Sequence, residues 1–271
     1  MRVALRFAYD GTHFASYARN PGTPSVESAL IQALRREGML DGGFRTGSRT
    51  DGGVSALENV GSADLERPHL RGLLPSLQRH LPAGLWVTGV AQVDAGWNPR
   101  HAASRTYRLL HPKRAEDLAA MRPACTAFLG RHDMSAFARV EAGRHPERTV
   151  LSFSVGRSGR LWSFRARGES FLWGQVRRMV GAVLAVGRGD ADVGDIVAAL
   201  ESGEPDVRFA AAPAEGLLLE RVTYKGLQWD ASAGRLPRTV GDAEAMASVQ
   251  LAVAQHVGGV AQRQAQAQRT R

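Results

Sequence analysis

The stretch RVALRFAY, residues 2–9, begins the pattern of elements from which the fold of this chain is predicted. Its alternation of side chains is typical of a strand. Ser25 suits the N-cap of a helix over VESALIQALRREG, in which apolar residues recur at helical spacing until Gly38. Short strands near 43–48 and 56–65 follow, so the first part of the chain is predicted to run strand, helix, strand, strand.

Two further elements complete the first unit. The stretch RPHLRGLLPSLQRHL, residues 67–81, has helical spacing, although Pro75 is expected to kink or divide the helix. LWVTGVAQV, residues 85–93, is predicted to be a strand. The resulting order, βαββαβ, is that of the ferredoxin-like split unit.

The same order begins again in the second part of the chain. Its predicted elements are a strand over 104–112, a helix over 114–129, a hairpin around Ser158 and Gly159, a helix over 171–187, a short extra helix near 192–201 and a strand over 216–224. The two units share no obvious sequence identity, so the repeat is one of topology. The predicted fold class is therefore α+β, with two ferredoxin-like (βαββαβ) halves.

Three segments are predicted from this organisation. The first half covers residues 1–98 and the second covers residues 99–230. The tail, residues 231–271, is dominated by Ala, Gln and Gly. We expect it to be helical near 241–257 and disordered at its basic end.

The composition favours a polyanionic partner. The formal charge is +9 with a pI near 10.8, which is typical of proteins that bind nucleic acid. Lys113 and Lys225 are the only lysines, so the basic residues are almost all arginine. Guanidinium groups suit contacts with phosphates and bases, but the codon bias of a GC-rich genome explains the scarcity of lysine equally well. The single cysteine, Cys125, excludes an intramolecular disulfide framework and favours a cytoplasmic location. No window reaches the roughly 18 apolar residues of a membrane helix, so we expect no membrane association.

The stretch GSRTDGGVSA, residues 47–56, places one acid between an arginine and two glycines. Asp-Gly and Gly-Gly pairs are typical of turns, because glycine accepts a positive φ and a short Asp side chain can bond its own backbone. Local sequence therefore favours Asp51 as a turn former, and a catalytic carboxylate is the competing interpretation. The eight histidines show no metal-ligand spacing, so no metal site is predicted.

Two residues of the second half stand out by their positions. On the helix over 171–187, Arg177 falls at the edge of an apolar arc formed by Leu172, Val176, Met179, Val180 and Val183. A half-buried guanidinium needs a carboxylate partner. The alternative is that only the aliphatic part of the side chain is buried and the guanidinium reaches solvent. Tyr107 lies in a strand beside Arg105 and Arg108. Such an aromatic can stack an RNA base or can be an ordinary core tyrosine.

Four stretches resemble, in order, the motif regions of the tRNA pseudouridine synthase I family. They are RTDGGVSA, SRTYR, FLWGQVRRMVG and APAEGLLLERVTY, and the resemblance runs from about Val3 to Tyr224. It implies two ferredoxin-like halves whose sheets form a basic central cleft, and a homodimer that acts without cofactor or metal. It also implies an isomerase that converts uridine to pseudouridine in the tRNA anticodon stem-loop, at positions 38–40. Ser55 and the context of SRTYRLLHP look more like the archaeal branch.

The resemblance also implies roles for four residues. Asp51 matches the catalytic aspartate and Arg49 the arginine of the same loop. Tyr107 matches the tyrosine that contacts the target base, and Arg177 the arginine that pairs with the aspartate. An aspartate can attack C1′, attack the ring or remove a sugar proton, and these routes stay open.

Two other functions remain as alternatives. The first is a pseudouridine synthase of the same fold that acts on other RNA positions. The second is a non-catalytic RNA-binding relative, against which the intact Arg-Thr-Asp run, residues 49–51, argues.

Overall fold

The structure is a computed structural model that describes residues 1–41, 43–66 and 70–229. Within these residues the fold is mixed α/β, with mostly antiparallel strand pairs and five α-helices. The described chain divides into two compact units, one formed by Met1–Ala103 with residues 218–229 and one by Ser104–Leu217. The tail predicted for residues 231–271, with its helix near 241–257, lies outside the described residues.

The elements are numbered in chain order. The strands are β1 (Arg2–Tyr9), β2 (Arg45–Thr46), β3 (Ser55–Asp64), β4 (Leu85–Val93), β5 (Ser104–Pro112), β6 (Gly130–Asp133), β7 (Glu147–Ser158), β8 (Leu161–Gly168) and β9 (Leu217–Thr223). The helices are α1 (Val26–Arg36), α2 (Leu73–Arg79), α3 (Leu118–Thr126), α4 (Gln175–Arg188) and α5 (Val193–Ser202).

In the first unit, β1 is the central strand and pairs antiparallel with both β3 and β4. On β3, the short strand β2 pairs antiparallel near Gly61, and β9 pairs parallel through Leu218 and Leu219. The sequence predicted every strand of this group. Because β2 and β3 pair with each other and are neighbours along the chain, both ends of the loop between them are held by this sheet.

One helix of the first unit begins where it was predicted to begin, and the other begins later. Ser25 caps α1 by accepting a hydrogen bond from the backbone N–H of Ser28, as predicted. The α2 helix begins at Leu73, so the prediction of a helix across residues 70–72 was wrong. Pro75 is its third residue and neither kinks nor divides it, because a backbone N–H in the first turn has no intrahelical partner to lose.

The second unit contains a sheet in the order β5-β8-β7-β6, antiparallel throughout. Strands β7 and β8 form the predicted hairpin, with Gly159 at φ +54° in the turn. The edge strand β6 was not predicted. It has only four residues, all of them exposed or half-buried, and therefore shows no apolar alternation.

Two helices of the second unit are shorter at their start than predicted. The α3 helix begins after Asp117, whose side chain accepts from the backbone N–H of Ala119 and caps the helix, rather than at 114. The α4 helix begins at Gln175 rather than 171, because Gly174 adopts φ +73° and residues 171–173 are not helical. Every helix that the structure describes is too short or too polar to cross a membrane.

Candidate active site

Asp51 lies on the loop between β2 and β3, residues 47–54, called here the Asp51 loop. The predicted turn is present, because the N–H of Val54 donates to the carbonyl of Asp51 at 3.2 Å and Gly53 adopts φ +81°. Asp51 is half-buried and Arg49 is exposed. The turn therefore holds one partly accessible carboxylate near an accessible guanidinium.

Two buried tyrosines fix the start of this loop. The hydroxyl groups of Tyr9 and Thr50 share a hydrogen bond of 2.8 Å directly before Asp51. The hydroxyl of Tyr17 donates to Oγ1 of Thr46 at 2.6 Å. Burial raises the pKa of Tyr17 well above its ordinary value, so its ring stays neutral and keeps this donor.

A buried amide holds the backbone of the loop against β3. The Nδ2 group of Asn59, which is fully buried, donates to the carbonyl of Ser48 at 2.9 Å, and its Oδ1 accepts from the N–H of Val60 at 2.8 Å. The N–H of Gly47 donates to the carbonyl of Val60 at 2.8 Å. Since the polar groups of Asn59 are satisfied away from water, its loss would release the loop.

The end of the loop is locked by the chain that follows β1. The N–H of Gly11 donates to Oγ of Ser55 at 3.0 Å. A Cβ atom added to Gly11 would lie 2.4 Å from the carbonyl oxygen of Val54, so only glycine fits there. A Cβ on Gly52 would likewise lie 3.0 Å from the carbonyl oxygen of Ala15. The Asp51 loop is thus packed against residues 11–15 as well as against β3.

Tyr107 lies on β5 opposite Ala166 of β8 and is 9% exposed. Phe171 meets its ring edge-on, with 5.5 Å between centroids and an angle of 89°. Gly168 permits this contact, because a Cβ there would lie 2.9 Å from the Phe171 ring. The tyrosine is therefore fixed in orientation by an aromatic neighbour.

Arg177 is half-buried on α4, as its place at the edge of the apolar arc predicted. The five apolar residues of that arc are all buried. The Nε group of Arg177 donates to the carbonyl of Ala212 at 2.6 Å, and the N–H of Ala212 donates back to the carbonyl of Arg177 at 3.0 Å. This reciprocal pair joins the guanidinium to the segment that follows α5.

The predicted site residues are divided between the two units. Arg49 and Asp51 share one loop of the first unit, and Tyr107 and Arg177 belong to the second. Sequence reasoning missed the residues that support them, among which are Tyr9, Thr50, Asn59, Phe171 and Ala212. Asn59, in the strand predicted near 56–65, was a signal in the sequence. An asparagine that a strand buries needs hydrogen-bond partners, and a loop can supply them.

Other kinds of site find no support in the described part of the chain. There, no group of three or more His, Cys, Asp or Glu residues is placed to hold a metal ion. Burial raises the pKa of the Cys125 thiol to about 12, so this residue is unsuited to act as a thiolate nucleophile.

Comparisons with known proteins give the chain its family. A family model described as tRNA pseudouridine synthase matches residues 124–225. The chain is 39% identical over 236 residues to tRNA pseudouridine synthase A of Thermococcus kodakarensis. The aligned region covers 85% of this chain and 87% of the relative. It is 42% identical over 229 residues to the protein of the same name from Methanoculleus marisnigri, with 83% of each chain covered.

Among solved structures, a chain of a Cbf5-Nop10-Gar1 complex matches 67% of this chain and 45% of its own length, with 15% identity and a TM-score of 0.38. That likeness is too distant to support an argument. The two sequence relatives are far more similar and are matched over most of their lengths. The chain therefore belongs to the tRNA pseudouridine synthase family, whose enzymes are isomerases.

Proposed function

We propose that this protein converts uridine to pseudouridine at positions 38–40 of the tRNA anticodon stem-loop, with Asp51 as its catalytic aspartate. The observation that carries the proposal is the Asp51 loop itself. Asp51 is half-buried, the loop is fixed by hydrogen bonds to Tyr9 and Asn59, and Gly11 holds Ser55, the residue that directly follows the loop. A carboxylate that is preorganised in this way suits a reaction that needs exact placement at a sugar or ring carbon.

The reaction is an isomerisation that needs no redox partner. The bond from N1 to C1′ breaks, the uracil turns, and a bond from C5 to C1′ forms. C5 loses a proton and N1 gains one, so atoms and electrons balance without a co-reactant. An aspartate can serve this sequence as nucleophile or as base, which are roles that a neutral amide cannot fill.

The second unit would supply the groups around Asp51. In the proposal, the guanidinium of Arg177 stabilises the negative charge of Asp51, and the ring of Tyr107 contacts the detached uracil. Phe171 and Ala212 support this assignment, because their contacts hold Tyr107 and Arg177 in fixed orientations. Fixed side chains lower the cost of assembling the site around a bound base.

The RNA must approach the Asp51 loop closely, because a stem-loop base has to leave its stack before it can react. Gly52 and Gly53 keep the tip of the loop free of side chains. The exposed guanidinium of Arg49 suits a phosphate or the space left by the displaced base. The formal charge of +9 supports tRNA as the partner.

The finer architecture belongs to the same proposal. We assign a ferredoxin-like topology to each half, residues 1–98 and 99–230, with a basic cleft between their sheets. The strand order β4-β1-β3-β2 in the first unit supports this assignment. The homodimer rests on the family resemblance, and the cytoplasmic location on the single cysteine.

Replacement of the aspartate tests the proposal. We expect Asp51→Asn to fold and to bind unmodified tRNA but to release no tritium from uridine labelled at C5. Asp41→Asn removes another carboxylate, an exposed one, and serves as the matched control with unchanged activity. Full activity of Asp51→Asn would exclude Asp51 as the catalyst. Pseudouridine mapping of the product would contradict the positional assignment if the modified sites lay outside 38–40.

A further inference from the structure

Trp173 is unusual because it is a large aromatic side chain that is 48% exposed. Among the described residues, the other exposed large hydrophobic side chains are all leucine or valine. Trp173 lies in the short segment between β8 and α4, two residues after Phe171. An exposed indole on a strongly basic chain is a candidate surface for a flat ligand.

Arg139 holds one face of this indole. Its guanidinium carbon lies 4.6 Å from the centre of the Trp173 ring, and its backbone N–H donates to the carbonyl of Trp173 at 2.9 Å. The two residues also form an isolated antiparallel bridge. Backbone and side-chain contacts together therefore fix the pair, which is called here the Arg139–Trp173 platform.

The charge of the platform is available to a ligand. Arg139 is exposed, and within the described part of the chain its guanidinium has no carboxylate partner. A guanidinium that lies on an aromatic ring keeps its N–H groups in the plane, where they can reach a phosphate. The platform thus offers a stacking surface and a phosphate donor side by side.

The segment before α4 connects this platform to the proposed base-binding residue. Phe171 is half-buried and contacts Tyr107, whereas Trp173 is directed to solvent. Two residues of extended chain span at most about 7 Å. The platform therefore lies two residues along the chain from Phe171, whose ring contacts Tyr107, a separation that neighbouring nucleotides of one RNA strand can span.

We propose that the Arg139–Trp173 platform stacks an unpaired nucleobase that flanks the target uridine, while Arg139 binds the adjacent phosphate. This inference rests on the proposed function, since it takes the RNA substrate from there. Aromatic side chains that stack splayed bases, with arginines on the backbone, are a general solution for binding unpaired RNA. The ligand is thus a single-stranded nucleotide, and the platform contributes affinity and positioning rather than chemistry.

The first test compares tRNA affinities of full-length variants, measured by filter binding with an unmodified transcript. Trp173→Ala should raise Kd about 5- to 150-fold, which is the range for loss of one base–aromatic stack. Trp173→Phe should remain within about threefold of the parent protein, because it keeps a ring. Leu151→Ala is the matched control, since Leu151 is 44% exposed on β7, and it should not change Kd.

The second test separates the ring from the charge. Arg139→Gln should lower the slope of log K against log salt by about one unit, whereas Arg139→Lys should retain it. Transcripts with an abasic nucleotide beside the target should then lose the Trp173→Ala penalty at one position only. A penalty that persists with every abasic transcript would overturn the inference.

Two controls separate this inference from its premises. If the parent protein forms pseudouridine and Trp173→Ala binds tRNA within about twofold of it, the platform fails while the proposed function stands. If the parent protein forms no pseudouridine, the proposed function fails first. Light scattering after gel filtration should show one oligomeric state for parent and variant. A change of state in Trp173→Ala would instead make the platform an interface between copies of the chain.

Discussion

The hydroxyl of Tyr9, the last residue of β1, lies 2.8 Å from the hydroxyl of Thr50, the residue before Asp51. This contact joins the central strand of the first unit to the loop that carries the proposed catalyst. Since Tyr9 is buried and belongs to a paired strand, Thr50 is held by a rigid partner. The position of Asp51 therefore depends on a residue 42 positions away, which takes no part in the proposed chemistry.

Removal of this hydrogen bond should affect catalysis more than folding. We expect Tyr9→Phe to lower the free energy of unfolding by about 1 kcal/mol, the usual net value of one such bond. It should lower kcat about 3- to 10-fold, because small displacements of a catalytic group are costly. Thr50→Val removes the same bond from the other side, so the double variant should be no worse than either single one. Additive effects on kcat would contradict this coupling.

Gly11→Ala should displace the end of the Asp51 loop. The new Cβ would lie 2.4 Å from the carbonyl oxygen of Val54. Because this oxygen belongs to the backbone, the clash cannot be relieved by a change of side-chain rotamer. We expect a loss of about 1–3 kcal/mol in the free energy of unfolding, together with lower kcat. Gly96→Ala is the matched control, because a Cβ there meets no atom within 4 Å. Equal melting temperatures for both variants would show that the close approach is not a constraint.

Arg177→Met should lower activity and stability together. The change leaves the carbonyl of Ala212, a residue that is 4% exposed, without its Nε donor, at a cost of about 1–3 kcal/mol. It also removes the charge that is proposed to face Asp51. Arg178→Met, one position along the same helix, should retain kcat and melting temperature. The measurement compares the rates of tritium release by the two variants. Unchanged kinetics for Arg177→Met would refute the proposed pairing of Arg177 with Asp51.

The ion pair between Arg2 and Asp64 should make stability depend on pH in the acid range. The Nε and Nη2 groups of Arg2 donate to the two carboxylate oxygens of Asp64 at 3.0 and 2.7 Å, and these bonds lower the pKa of Asp64 from its ordinary value. The stabilisation is therefore present above the unfolded pKa and is lost as pH falls through the folded pKa. It should amount to about 0.5–1 kcal/mol at neutral pH.

Urea denaturation of the parent protein and of Asp64→Asn, at pH 7 and below pH 3, measures the contribution of the Arg2–Asp64 ion pair to the free energy of unfolding. The parent should be more stable at pH 7, and the difference should vanish in acid. A difference that persists in acid would mean that the two side chains contribute through packing and not through charge.

The sequence predicted the regular elements best where local rules act alone. β1, β4 and β5 begin and end as expected, and Ser25 caps α1 because a side-chain oxygen satisfies an N–H that any helix start leaves free. Boundaries failed where a side chain or a glycine decides them, as Gly174 does for α4. β6 was missed because an edge strand of four residues carries no period.

The candidate site divides in the same way. The turn at Asp51 and the partial burial of Arg177 follow from local sequence, and both were predicted. The groups that hold them are distant: Asn59 supports Ser48 across 11 positions and Ala212 supports Arg177 across 35. Such contacts are set by strand register and by loop course, which a single sequence does not specify. Trp173 escaped notice because it fell inside the helix predicted over 171–187, where an aromatic is more often buried than exposed.

The loop that carries Asp51 owes its shape to contacts that are remote along the chain, since Tyr9 and Thr50 are 41 positions apart and Gly11 and Ser55 are 44. These bonds can form only when β1 has paired with β3. During synthesis β1 leaves the ribosome before β3, so this pairing has to wait until residues 55–64 have been made. The nascent chain therefore gains the loop geometry in the same step in which β1 pairs with β3, before β4 and β9 are added to the sheet.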